Sequence, residues 1–489
     1  MPKPDHAGPP DGVIDHLINI HEKNGTLDKL LASGIGDKVA ARMVKPVGYM
    51  TGYSVDLGWQ PWIWEGGETV ELLPGLDPAS LTGAGGFGGF IAYDGNLYFT
   101  ATDAASGTEL RKFDGTSITV VDVNPGTGSS NAGTSGFVEY GDKLYFAAND
   151  GASGLELHSY DGTTVALVAN INPGSLSSDA GSFGGFIEYK GALYFTATDR
   201  SKGYELRKFD GSGVTLVADL NPNGGNSSAG IYGFVEFGGN LYFAANDGTT
   251  GMELRRFDGT SVTTVDINPG AGHSNPGLNG GYIEFGGHLY FTANDGKTGT
   301  ELRKFDGTTV TLAADINPGP AGSSAGLNGF VEFNGALYFT ARDFTNGMEL
   351  RKYDGSVATV IDLNPGSGSS NAGAFGGFIV HDGDLYFTAD DGTNGFELHR
   401  IDGDTGLIEI FDFLPGPGSS QAQLIGVVGD SLAIGAWIDG EGDDIADRYV
   451  MLAAIGTPLS TADFHIVDDG SGSFEPGILH HVSDGDLLV

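Results

Sequence analysis

The chain has no cysteine among its 489 residues, which removes disulfides, thiolate catalysis and Cys-ligated zinc together. That fits the cytosol, and equally a secretion route without disulfide chemistry. Basic residues are also scarce: 24 Lys and Arg stand against 63 Asp and Glu, a net charge of −39. A nucleic-acid partner held by a broad basic surface is excluded, because phosphate contacts need clustered Lys and Arg. Long apolar runs are missing too. None approaches the ~20 residues that span a bilayer, so no membrane insertion is expected. The first residues, MPKPDHAGPPDG, lack the basic-then-apolar pattern of a cleaved secretory signal. No H-E-x-x-H zinc string and no P-loop occurs.

Glycine is what abounds, at 83 residues, in a chain still 39% hydrophobic and 10% aromatic. Such a sequence has enough apolar side chains for a large core and enough turn formers for many short strands. The acidity is uneven. Residues 1–56 carry 6 basic and 7 acidic groups, while residues 421–489 carry 1 and 12.

An internal repeat overrides any domain count taken from length. Leu-Tyr-Phe recurs at Leu97, Leu144, Leu193, Leu241, Leu289, Leu337 and Leu385, at spacings of 47, 49, 48, 48, 48 and 48. Within the unit Gly233–Gly270, the runs GFVEF, NLYFAAN, MELRRF and SVTTVDI are separated by Gly-containing turns. Four antiparallel strands in about 45–50 residues make one propeller blade. The sequence therefore predicts an all-β, closed β-propeller of four-stranded antiparallel blades over 51–489, with a short helical extension at 1–50.

Seven clear repeats occupy 86–420 and a degenerate one occupies 421–470. Residues 477–489 read as strands one and two of a last blade, whose strands three and four come from 60–78 near the N-terminus. This counts nine units, with eight as the alternative. Closure would remove the exposed edge that invites aggregation.

These blades resemble the bacterial ELWxxDGT repeat, whose units carry Leu-Tyr-Phe, then DGxxGxELW, DGT and D-I-x-P-G in order. The resemblance covers roughly residues 60–489. The Trp slot departs from it, holding Arg111, His158, Arg207, Arg255, Arg303, Arg351 and His399, while Trp62 fills that slot in the N-terminal segment. The resemblance implies a propeller and little about activity, because such repeats occur in bacterial surface and secreted proteins of ill-defined role.

Several constellations carry chemistry. Glu109, Glu156, Glu205, Glu253, Glu301, Glu349 and Glu397 stand two residues before the Arg/His slot. On a strand, i and i+2 share a face, so a repeated Glu–cation pair is expected to pin strands or blades. The sharper reading makes Arg111, Arg207, Arg255, Arg303 and Arg351 an anion-reading ring. Asp114 and its equivalents before Gly read as hairpin turns. The loop Asn149–Gly154 is a thin Ca²⁺ chelator. Asp439, Glu441, Asp443, Asp444 and Asp447 crowd one loop and form the candidate Ca²⁺ site, the one cofactor expected. Trp59, Trp62 and Trp64 are sugar-stacking candidates. His480 and His481 adjoin on a strand and so face opposite ways.

The expectation drawn from these features is a non-catalytic binding or scaffold propeller, secreted or surface-associated without a cleaved signal, with a protein or polysaccharide partner. Two alternatives stand beside it. One is an intracellular interaction hub using the N-terminal helices Val13–His21 and Leu27–Met43. The other is a carbohydrate-active enzyme with carboxylates at the central channel.

Overall fold

A computed structural model describes residues 48–54, 58–64, 70–72, 81–85, 89–222, 225–414, 416–428, 431–438, 447–454 and 464–467. Every regular element among them is a β-strand. The chain divides into two compact units, residues 1–122 with 425–489, and Val123–Leu424.

Seven four-stranded sheets follow in sequence and are called blades one to seven here: Phe90–Val121, Phe137–Ala169, Phe186–Leu216, Phe234–Val265, Tyr282–Ala314, Phe330–Ile361 and Phe378–Phe411. Gln423–Val467 contributes the four strands of blade eight. Each is an antiparallel meander in simple sequence order. Blade four shows the register: Phe234 lies opposite Phe243, Leu241 opposite Phe257, and Arg255 opposite Thr264.

The burial pattern explains the local sequence. The second strand, Asn240–Asn246, is buried on both faces and so reads as a continuous apolar run. The fourth, Val262–Val265, is far less covered, and its central Thr263 and Thr264, on opposite faces, are both exposed. A two-residue turn joins strands one and two, with Gly238 at φ 55° and Gly239 at φ 73°. These are the positive dihedrals of a type I′ hairpin, whose twist matches that of the strands.

The core lies between sheets. Tyr194 and Leu206 of blade three pack with Leu241, Phe243 and Phe257 of blade four. Tyr338 and Leu350 of blade six meet Leu385, Phe387 and Ile401 of blade seven in the same way. The recurrent Tyr and Phe after each Leu are core, as their periodicity implies: Tyr98, Phe99, Phe146, Phe243 and Phe291 are all fully buried.

The N-terminal segment departs from expectation. Gly58–Trp64 does not wait for distant C-terminal strands, because it pairs with Gly48–Ser54 on one edge and Val70–Leu72 on the other. Gly48–Met50, assigned by sequence to the helical extension, are strand. A local hairpin closes a short loop at small entropic cost, whereas pairing across the chain does not. Residues 1–47 and 468–489, with the expected helices, His480, His481 and the closing strands, lie outside the described residues.

Candidate functional site

The repeated glutamate and arginine form two separate structural devices. In every blade from one to seven the Glu of the third strand is fully buried. In blades two to seven its carboxylate, rather than pairing with the cation two residues on, accepts backbone N–H groups of the loop that leaves the fourth strand. Glu253 takes Ile267 N at 2.8 Å, Ser274 N at 2.9 Å and the Ser274 hydroxyl at 2.7 Å. Glu349 takes Leu363 N at 2.9 Å and Ser370 N at 2.7 Å. The loop is long and leaves buried N–H groups that must find acceptors, and the carboxylate supplies them.

Burial pushes these acids up, to about 7 for Glu301 and Glu397, against the lowering effect of the hydrogen bonds each accepts. The expected Glu–Arg pair is thereby corrected. The i, i+2 argument placed both side chains on one sheet face but said nothing of their reach along it.

The arginines pair with an Asp at the end of the second strand or in the loop that follows it. Arg111 meets Asp103 at 2.9 Å, Arg207 meets Asp199 at 2.7 Å, Arg255 meets Asp247 at 3.2 Å and Arg303 meets Asp295 at 3.3 Å. Arg351 pairs with Asp343 likewise. All five arginines are between 2% and 7% exposed, so each sits inside its blade and already holds an internal carboxylate. Burial would raise Asp199, but hydrogen bonds from Arg207, the Lys202 N–H and Ser201 outweigh it and hold the carboxyl at about 2.

The turn aspartates behave as their Asp-Gly sequence implies. Asp258 Oδ1 accepts from Thr260 N at 2.7 Å and Ser261 N at 2.9 Å. In the loop Asn149–Gly154, Asp150 Oδ1 is likewise engaged by Ala152 N and Ser153 N.

Asp439, Glu441, Asp443 and Asp444 of the candidate Ca²⁺ loop lie outside the described residues. Asp447 opens the strand Asp447–Ala454 and lies opposite Ile438. Trp59, Trp62 and Trp64 share the strand Gly58–Trp64.

Sequence reasoning passed over a second row of carboxylates. The third residue of the first strand is Glu in blades two to six: Glu139, Glu188, Glu236, Glu284 and Glu332. Glu188, Glu236, Glu284 and Glu332 are exposed and Glu139 is half-buried. Blade seven carries Val380 there, 44% exposed. The first strands of blades two and three, four and five, five and six, and six and seven approach with Cα atoms within 8 Å. Among these first strands, Glu139 and Glu188, and then Glu236, Glu284 and Glu332, therefore stand on neighbouring strands. The spacings of 49, 48, 48 and 48 residues were the available signal.

The expectation that no G-x-S-x-G string occurs is corrected by Gly322–Gly326, which spells G-S-S-A-G, the string of a serine-hydrolase nucleophile turn. Its Ser324 has φ 53°, but Asn131, Asp179, Ser228, Asn275 and Asn371 hold the same left-handed conformation at the same repeat position. The turn leads into a strand, so it is a repeat feature and not a strand-to-helix elbow.

No family profile and no curated protein matches the chain. Solved structures similar to it include a prolyl endopeptidase (14% identity, 77% of this chain and 54% of that one, TM-score 0.38). Prolyl oligopeptidase B from Galerina marginata, bound to a 35mer hydrolysis and macrocyclization substrate, is also similar (14%, 74% and 54%, 0.36). So is the GH74 xyloglucanase from Xanthomonas campestris (13%, 84% and 64%, 0.34).

The chain spans between half and two thirds of the length of each. All three are hydrolases by name, against the expectation of a non-catalytic scaffold. At these TM-scores neither an activity nor an active-site residue is carried over to this chain.

Proposed function

We propose that the chain is a polysaccharide hydrolase whose general acid and base come from the first-strand row Glu139, Glu188, Glu236, Glu284 and Glu332. The observation that carries the reading is the repetition of a carboxylate, exposed in blades three to six, at one register position on first strands that approach within 8 Å between blades two and three, four and five, and five and six. Glycoside hydrolysis runs on two carboxyl groups about 5–9.5 Å apart flanking the scissile bond. Peptide hydrolysis of the serine type is less well supported, because Ser324 sits in a repeat turn. The proposal retains a closed propeller of nine units, with eight as the alternative.

The test measures reducing ends released from a panel of neutral and acidic polysaccharides by the parent and by the five single Glu→Gln variants. Loss of about 100-fold or more in two variants of adjacent blades, with unchanged melting, supports the assignment. Equal rates in all five variants, or cleavage of peptides alone, would reject it.

A further inference from the structure

Five blades place a guanidinium in a set of acceptors, and two blades keep the acceptors without it. In blade four, Arg255 donates to Ala245 O at 3.0 Å, Asp247 Oδ2 at 3.2 Å, Thr250 Oγ1 at 3.2 Å and Gly251 O at 3.2 Å. Arg303 repeats this with Ala293 O, Asp295, Thr298 and Gly299 O. The corresponding residues are Ala148, Asp150, Ser153 and Gly154 in blade two, and Ala389, Asp391, Asn394 and Gly395 in blade seven. There the cation's place is taken by His158 and His399.

The imidazoles do not replace the guanidinium. Nδ1 of His158 lies 3.0 Å from Glu156 O, and Nδ1 of His399 lies 3.1 Å from Glu397 O. A carbonyl only accepts, so Nδ1 carries the proton and Nε2 presents a bare lone pair. The two side chains are 1% and 0% exposed, and neither Nε2 has a partner among the described residues. A buried lone pair without a donor is costly.

In blade two Ser153 Oγ donates to Asp150 Oδ2 at 3.1 Å, and in blade seven Asn394 Nδ2 donates to Asp391 Oδ2 at 2.8 Å. Neither supplies positive charge. Burial keeps both imidazoles below the usual histidine range, hence neutral.

We propose that the slots at His158 and His399 each bind a small hydrogen-bond-donating cation, ammonium in size and chemistry, where the other blades hold a guanidinium. The imidazole reaches less far than an arginine side chain, so the acceptors that engage a guanidinium in the other blades are left without its donors. An ammonium ion donates in four directions, to Nε2 and to the oxygens around it. A transition ion is less suited, because no three Asp, Glu or His side chains gather at one point among the described residues.

The experiment compares thermal melts of the whole chain in NH₄Cl, KCl and NaCl at equal ionic strength. It covers the parent and the double variant His158→Arg, His399→Arg. The variant restores a side chain that five blades already accommodate, so it is expected to fold. At about 100 mM, ammonium should raise the parent midpoint over sodium by on the order of a degree, and the variant should show no such rise. A ¹⁵N-ammonium signal in slow exchange with the parent, absent in the variant, would agree. Equal midpoints in the three salts, potassium matching ammonium, or an ammonium effect that survives in the variant would each overturn the proposal.

Discussion

Tyr189 of blade three reaches into blade four, where its hydroxyl donates to Gly239 O at 2.9 Å, with Phe257 O at 3.3 Å. Its ring also lies 6.0 Å from that of Phe257. Neighbouring sheets are thus joined by a hydrogen bond as well as by apolar packing. Tyr140 makes the same link from blade two, to Gly191 O at 2.8 Å. Phe237, Phe285 and Phe333 occupy the equivalent position without a hydroxyl. Tyr189→Phe should therefore fold and lose only about 0.5–1.5 kcal/mol, the worth of a net hydrogen bond. Chemical unfolding of the two proteins side by side measures it.

The buried ion pairs predict a graded series at Arg255. Arg255→Ala strands Asp247 and four further acceptors, Ala245 O, Thr250 Oγ1, Gly251 O and Thr264 Oγ1, and should cost about 3–5 kcal/mol. Arg255→His should cost less, because two blades already carry His in that slot. Equal losses in urea unfolding would show that the guanidinium contacts are not what stabilises the blade.

A glycine predicts the largest local strain. Gly230 has φ 77°, and a Cβ there would overlap the Phe234 ring. Gly133 under Phe137 and Gly326 under Phe330 repeat the arrangement. Gly230→Ala pays both the left-handed backbone and the clash, about 1–3 kcal/mol or more. Gly233→Ala, with φ 96° and open space around its Cβ position, isolates the backbone part.

Two sets of acids pull the pH profile in opposite directions. Burial raises Glu301 and Glu397 to about 7 in the folded chain, above the ordinary ~4.3 of an unfolded glutamate. Between those values the native state binds more protons, so stability falls as pH rises through about 7. Asp199 and Asp295 are held at about 2 despite burial, by hydrogen bonds that include Arg207 for the first and the Thr298 N–H for the second. Their contribution is present above about pH 4 and is lost as pH falls toward 2. The melting midpoint should therefore peak near pH 4–5 and decline on both sides. A maximum at pH 8 would contradict the assigned states of Glu301 and Glu397.

Much of the architecture was legible because each strand carries its own signature. Asn240–Asn246 reads as a doubly buried run, Gly238-Gly239 as a hairpin turn, and Asp258-Gly259 as a side-chain-capped turn. These are decided over two to eight residues, the range over which local sterics and alternation act. The first-strand glutamates were equally periodic but went unnoticed, since a single exposed acid per strand resembles ordinary surface until the first strands are known to converge.

The sequence alone determined the repeat, its four strands and the burial of its aromatics, because these follow from the alternation of side chains along each strand. Tertiary structure decided the partners of the polar groups. Glu253 capping Ile267 and Ser274, and Arg255 holding Asp247, depend on how a loop returns over the third strand. It likewise decided that Gly58–Trp64 pairs with Gly48–Ser54. Hydrogen bonds and ion pairs are short and directional, so which group meets which is fixed only once the backbone is folded.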